Sequence, residues 1–102
     1  MSKSLIVQKY GGTSVGTLER IEHVADRITK TRKTGTDIVV VVSAMAGETD
    51  KLLKMACRLS KNPARREIDL LLSSGERISA ALLTIALQAR GIPALSMTGR
   101  QI

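Results

Sequence analysis

Apolar positions change their period several times along the chain, and each change marks an element. Leu5 to Tyr10, LIVQKY, is short and β-rich and is ended by glycines, which predicts a strand. From Thr17 the period becomes helical: Leu18, Ile21, Val24 or Ala25, and Ile28 recur on one face. Thr17 suits an N-cap, with Glu19 in the first turn. Lys30, Arg32 and Lys33 crowd the far end, and Gly35 suits the position just past it. Asp37 to Ser43, DIVVVVS, is continuously apolar after its first residue, as expected of a strand covered on both faces. Ala44 to Asp50 reads as a loop opening a helix whose buried side carries Leu52, Leu53, Ala56 and Leu59 or Ser60. Asn62-Pro63 punctuates it. A long helix is predicted from about Arg65 to Arg90, with an irregularity at Ser73-Ser74-Gly75. Gly91 closes it, and Ile92 to Met97 reads as a third strand before a terminal loop.

The predicted order is β-α-β-α-α-β. Strands separated by helices need crossovers, so the sheet is expected to be parallel, right-handed in its connections, and covered by helices on both faces. The fold class is α/β, with three layers. Three strands make a thin doubly wound sheet, and a chain of 102 residues ending just after a strand is expected to be an incomplete domain.

Composition narrows the class. With 43% hydrophobic and 25% charged residues the chain reads as globular. Tyr10 is the single aromatic residue, which argues against base-stacking nucleic-acid modules. The formal net charge is +7, but the bases are scattered through helical segments with acids among them, which predicts a solvated surface. Cys57 is the sole cysteine, which excludes an internal disulfide and fits a reducing cytoplasm. Its neighbours, LLKMACRL, predict a buried structural thiol. His23, among charged residues, is expected at the surface. No apolar run is expected to reach membrane-span length, and the start lacks a signal-peptide core.

In open parallel sheets, ligands bind beyond the carboxyl ends of the strands. Three polar clusters fall at such ends: Lys9 with Gly11 to Ser14, Ser43 with the loop through Thr49, and Ser96 to Gly99. Glycines admit a ligand close to the backbone, successive amides form an anion nest, and the following helix adds its positive end. Lys9, Gly11, Gly12, Thr13 and Ser14 therefore read as a phosphate cradle, with a plain tight turn as the alternative. The lysine precedes the glycines, so this is not a Walker A loop. Ser43 and Thr49 are candidates to hydrogen-bond a small polar substrate, although Thr49 taken alone reads as an N-cap. Glu76 stands in LLLSSGERISAALL, where a carboxylate would receive a substrate ammonium, pair with Arg77 or cap a kink at Gly75.

Taken together, VQKYGGTSVG (Val7–Gly16), VVSAMAGETDKL (Val41–Leu52), LLSSGERISAALL (Leu71–Leu83) and SMTGRQ (Ser96–Gln101) resemble the N-terminal part of the aspartate kinases, in the amino-acid kinase family. Tyr10 stands where that family usually has Phe. The resemblance implies transfer of the ATP γ-phosphoryl group to the side chain of L-aspartate, with Mg2+ and MgATP as partners, in a cytoplasmic homo-oligomer without nucleic acid or membrane. It implies Lys9 as the catalytic charge, Gly11, Gly12, Thr13 and Ser14 at the phosphate, and Ser43, Thr49 and Glu76 at aspartate. It also implies that residues 1–102 are only the first portion of the kinase domain. The nucleotide-binding half and the regulatory ACT domains would lie outside them, and the chain alone would be inactive. A glutamate-directed kinase and a non-catalytic aspartate-binding or assembly module are the rival expectations.

Overall fold

The structure, a computed structural model, describes residues 4–97. It contains β1 (Leu5–Tyr10), α1 (Leu18–Arg32), β2 (Asp37–Val42), α2 (Glu48–Leu59) and α3 (Arg65–Ala89). β1 and β2 pair in parallel, in step from Leu5 opposite Asp37 to Tyr10 opposite Val42. Bonds from Asp37 N to Ser4 O (2.8 Å) and from Ser43 N to Tyr10 O (3.1 Å) extend the ladder at both ends. The crossover is α1. Its N-cap is Thr17, whose hydroxyl accepts from Arg20 N at 3.1 Å. Its buried stripe is Ile21, Val24, Ala25 and Ile28, the helical spacing seen in the sequence.

The core joins that stripe to Val15, Leu83 and Leu87, with Tyr10, Ile38, Val40 and Val42 packed beneath. Helices α1 and α3 thus share one face of the sheet. The valine run predicted burial on both faces, but among the described residues only one is covered. Val39 (48% exposed) and Val41 (46%) lie bare beside Leu5 and Val7. The expected α/β parallel sheet is present with one of its helical layers. The radius of gyration, 15.7 Å, exceeds the roughly 13 Å of a compact domain of this length, as a two-layer slab should.

The predicted third strand does not form. Ile92 to Met97 follows α3 without a regular ladder. Two side chains of α3 tether it: Gln88 Nε2 donates to Ala94 O (3.1 Å), and the hydroxyls of Thr84 and Ser96 share a hydrogen at 2.8 Å. Pro93 has no amide to donate, and a cavity of about 550 Å³ lies between this segment, β2 and α3. The segment starts from a two-bond turn typical of glycine-closed helices. Gly91 N bonds Gln88 O, Ile92 N bonds Leu87 O, and Gly91 takes φ +77°.

Three local expectations are corrected. Helix α3 runs unbroken through Ser73-Ser74-Gly75. The serine hydroxyls bond back to Leu70 O and Leu71 O, inside the helix. Cys57 is exposed, because α2 turns only Glu48, Leu52, Leu53 and Ala56 partly inward and buries none of its residues fully. Leu59 or Ser60 was expected on that buried side; Leu59 is 88% exposed and Ser60 is exposed too. His23 is exposed as expected. By length and composition α3 would pass for a membrane span, with a mean hydropathy of 1.4 over 18 residues, contrary to the sequence expectation. Arg77 beside Glu76 interrupts it, however, and an arginine at a bilayer centre costs about 2.5–3.5 kcal/mol. Gly75, Ser79, Leu83 and Leu87 form its protein-buried stripe.

Candidate functional site

Two loops leave the carboxyl end of the parallel pair side by side. Gly11 to Thr17 joins β1 to α1, and Ser43 to Gly47 joins β2 to α2. They are tied by Ala46 N to Gly12 O at 3.1 Å. In the first loop, Ser14 N bonds Gly11 O and Gly16 N bonds Thr13 O, so those two amides serve turns rather than an anion nest. Val15 is fully buried and anchors the loop on the core. Arg20, one turn into α1, reaches back with Nη1 to Thr13 O at 3.1 Å. Thr13 is exposed and Ser14 half-buried, just before the positive end of α1.

The two adjacent glycines have different causes. Neither has a positive φ. A Cβ on Gly12 would stand 2.9 Å from Ala44 O, so its missing side chain lets the second loop close in. A Cβ on Gly11 would meet nothing within 4 Å. Only at Gly11 does the absent side chain leave open space for a ligand.

Lys9 is exposed and belongs to the bare face of the sheet, paired with Val41. It borders an open hollow of about 680 Å³ together with Gln8, Tyr10, Arg27, Lys30 and Thr31. That hollow holds none of the other predicted site residues. The Tyr10 hydroxyl donates to Gln8 Oε1 at 3.0 Å within it.

On the second loop, Ser43 is half-buried and Thr49 exposed. Thr49 is not the cap of α2. Gly47 holds that place at φ +84°, with no side-chain cap bond, and Thr49 lies inside the first turn. Glu76 was expected in an apolar setting. It is exposed, and among the described residues it forms no ion pair, with Arg77 or otherwise. Its neighbour Gly75 is buried, and a Cβ there would lie 2.8 Å from Ala44 Cβ. The structure therefore brings the Gly12, Ser43 and Glu76 stretches to one junction. Ser96, from the third predicted cluster, is held on α3 instead; its partners Thr98 and Gly99, and the rest of the motif through Gln101, lie outside the described residues.

Sequence reasoning missed Arg20 and Ala44. Nothing in the pattern marks Arg20, seven residues from its carbonyl partner. Ala44 had an indirect signal: an isolated glycine inside a helix often marks a close approach, though its partner cannot be read from sequence.

Comparison with known proteins places the whole segment. The family model of the amino acid kinase family matches residues 4–102. An aspartate kinase of Stutzerimonas stutzeri is 57% identical over 99 residues, covering 97% of this chain and 24% of that protein. The crystal structure of aspartate kinase from Synechocystis superposes with a TM-score of 0.94 at 57% identity, covering 97% of this chain and 17% of that one. Aspartokinase III of E. coli, in complex with aspartate and ADP, shares the fold at a TM-score of 0.70 and 21% identity, over 90% of this chain and 30% of its own. The chain spans about a quarter of the length of the curated relatives it matches.

Proposed function

The chain belongs to the amino acid kinase family, and from that premise we propose that it is the N-terminal, aspartate-side portion of an aspartate kinase. The reaction is transfer of the ATP γ-phosphoryl group to the side-chain carboxylate of L-aspartate, giving 4-phospho-L-aspartate. This is the first step toward lysine, threonine and methionine. The observation that carries the reading is the junction of three stretches at the carboxyl end of β1 and β2, where Gly12 and Gly75 both close on Ala44.

In this reading Lys9 stabilises charge on the phosphoryl group in transit. Gly11, Gly12, Thr13 and Ser14 line the phosphate, with Gly11 offering the open approach. Ser43 and Thr49 donate to aspartate, and Glu76, which forms no ion pair among the described residues, accepts its ammonium. The aspartate carboxylate is already ionised at neutral pH, so it needs no general base. Phosphoryl transfer of this kind depends on positioning and charge neutralisation. No group of three or more His, Cys, Asp or Glu stands together among the described residues, so they do not form a magnesium cage. Magnesium and the nucleoside part of ATP would be held by residues of the remaining kinase domain, which would also cover the bare sheet face. Cytoplasmic location and homo-oligomeric assembly belong to the same proposal.

The test uses this chain continued to the length of a whole kinase, by its own downstream residues or by those of the Stutzerimonas relative. That completed kinase should release ADP in an aspartate-dependent way and prefer aspartate to glutamate, whereas residues 1–102 alone should not. Preference for glutamate would move the substrate. Aspartate turnover by the chain alone would refute its being a partial domain. The bare apolar face favours one second reading, an assembly module, for which size exclusion of the chain alone should show a stable dimer.

A further inference from the structure

Ala44 is the common neighbour of two glycines from distant parts of the chain. Its carbonyl faces Gly12, where a Cβ would stand 2.9 Å away, and its methyl faces Gly75, where a Cβ would stand 2.8 Å away. Both separations are shorter than carbon contacts allow, so each glycine is required by Ala44 and not by backbone conformation. The contact is buried: Ala44 is 8% exposed and Gly75 is buried mid-helix. It is also rigidly attached on both sides. Ser43 N is bonded to Tyr10 O, Ala46 N to Gly12 O, and Ser79 Oγ to Gly75 O. Ser43 directly precedes Ala44 and Glu76 directly follows Gly75, so each is one residue from the Ala44–Gly75 contact.

We infer that Ala44 is a positioning residue that sets, through its single methyl group against Gly75, the spacing between the Ser43 loop and the Glu76 turn. This rests on the aspartate-kinase reading and deepens it, because the spacing it fixes is the one an acidic amino acid would span. Adding a carbon at position 75 pushes the two apart. Removing one at position 44 returns the space. Gly12 of the phosphate loop faces the Ala44 carbonyl and not its methyl, so the ATP-facing residues are less affected by either change.

Helix propensity alone predicts that Gly75→Ala stabilises α3; the contact predicts the reverse. In the completed kinase, Gly75→Ala should raise KM for aspartate about tenfold or more, since misplacement of a site by about 1 Å costs up to about 100-fold. KM for ATP should move less than about twofold on the same argument. Ala44→Gly added to Gly75→Ala should restore aspartate KM to near the unsubstituted value. A folded Gly75→Ala enzyme with both KM values unmoved overturns the inference. So does a rise in both KM values together, or a defect that Ala44→Gly leaves in place. If Gly75→Ala alone does not fold, the double variant must fold and bind aspartate normally, and its failure to do so also overturns the inference. Absence of aspartate turnover in the unsubstituted enzyme instead refutes the aspartate-kinase reading on which the inference rests.

Discussion

The two faces of the β1–β2 sheet are built from the same kinds of residue and have different fates. Ile38, Val40 and Val42 lie under α1 and α3, while Val39 and Val41, between them in sequence, lie bare. Nothing intrinsic to valine separates the two sets; the alternation of the strand does. The covered face carries this chain's stability. The bare face carries Lys9, the proposed catalytic charge, at the end of an apolar row. The core and the proposed catalytic charge are thus divided between opposite sides of one two-stranded sheet.

That division can be broken or sharpened by substitution. The largest effect is expected on chemistry: Lys9→Ala in the completed kinase should lower kcat about 100- to 1,000-fold, as removal of a single oxyanion-stabilising donor does. Its unfolding free energy should stay within about 0.5 kcal/mol of the parent, and an enzyme that keeps full turnover would remove Lys9 from the mechanism. On the covered face, Leu83→Ala should cost about 2–5 kcal/mol in denaturant unfolding. On the bare face of this chain, Val39→Thr should cost no more than about 0.5 kcal/mol. A Val39→Thr cost matching that of Leu83→Ala would mean the face is covered in solution, and the comparison would fail.

The smallest effect concerns the clasp between α1 and the end of α3. Arg90 Nε donates to Asp26 Oδ1 at 2.8 Å, and this hydrogen bond holds the Asp26 carboxyl below the usual carboxylate range. A carboxyl lowered by folding stabilises above its unfolded value, about 4, and loses that contribution as pH falls through its folded value. The chain should therefore be slightly more stable than Asp26→Asn at pH 7, by thermal unfolding. The gap should close on acidification below about pH 4 and narrow in salt, because the pair is exposed. A gap that persists at low pH would assign the effect to packing.

Local features were legible in the sequence. Strand β1, the Thr17 cap, the stripe of α1 and the Gly91 stop all depend on residues within a few positions of one another. What depended on partners was not. A run of four valines fits a strand covered on one side or two, and only the placement of α1 and α3 decides. Ile92 to Met97 has strand composition, but among the described residues no strand pairs with it, and Thr84 and Gln88 tether it to α3 instead. Gly75 read as a kink, but the helix runs unbroken through it, and the close approach of the distant Ala44 accounts for the glycine. For the candidate site, Lys9 to Ser14 and Ser43 fall at the ends of β1 and β2 as expected, while Ser96 follows no strand. It misjudged the surroundings of Glu76, whose apolar neighbours occupy other faces of α3.

The parallel pairing of β1 with β2 also has a consequence for the chain as it is made. β1 has no hydrogen-bonding partner until β2, some thirty residues later, has left the ribosome, because a crossover helix must come first. Once the pair closes, its valine face waits for whatever will cover it, and at about 5–20 residues per second each further hundred residues takes about 5–20 s. During that interval a flat apolar face beside open strand edges invites association between nascent chains. The charge of Lys9 on that face is the kind of gatekeeper that discourages it, so a residue proposed for phosphoryl transfer would also help newborn chains stay apart.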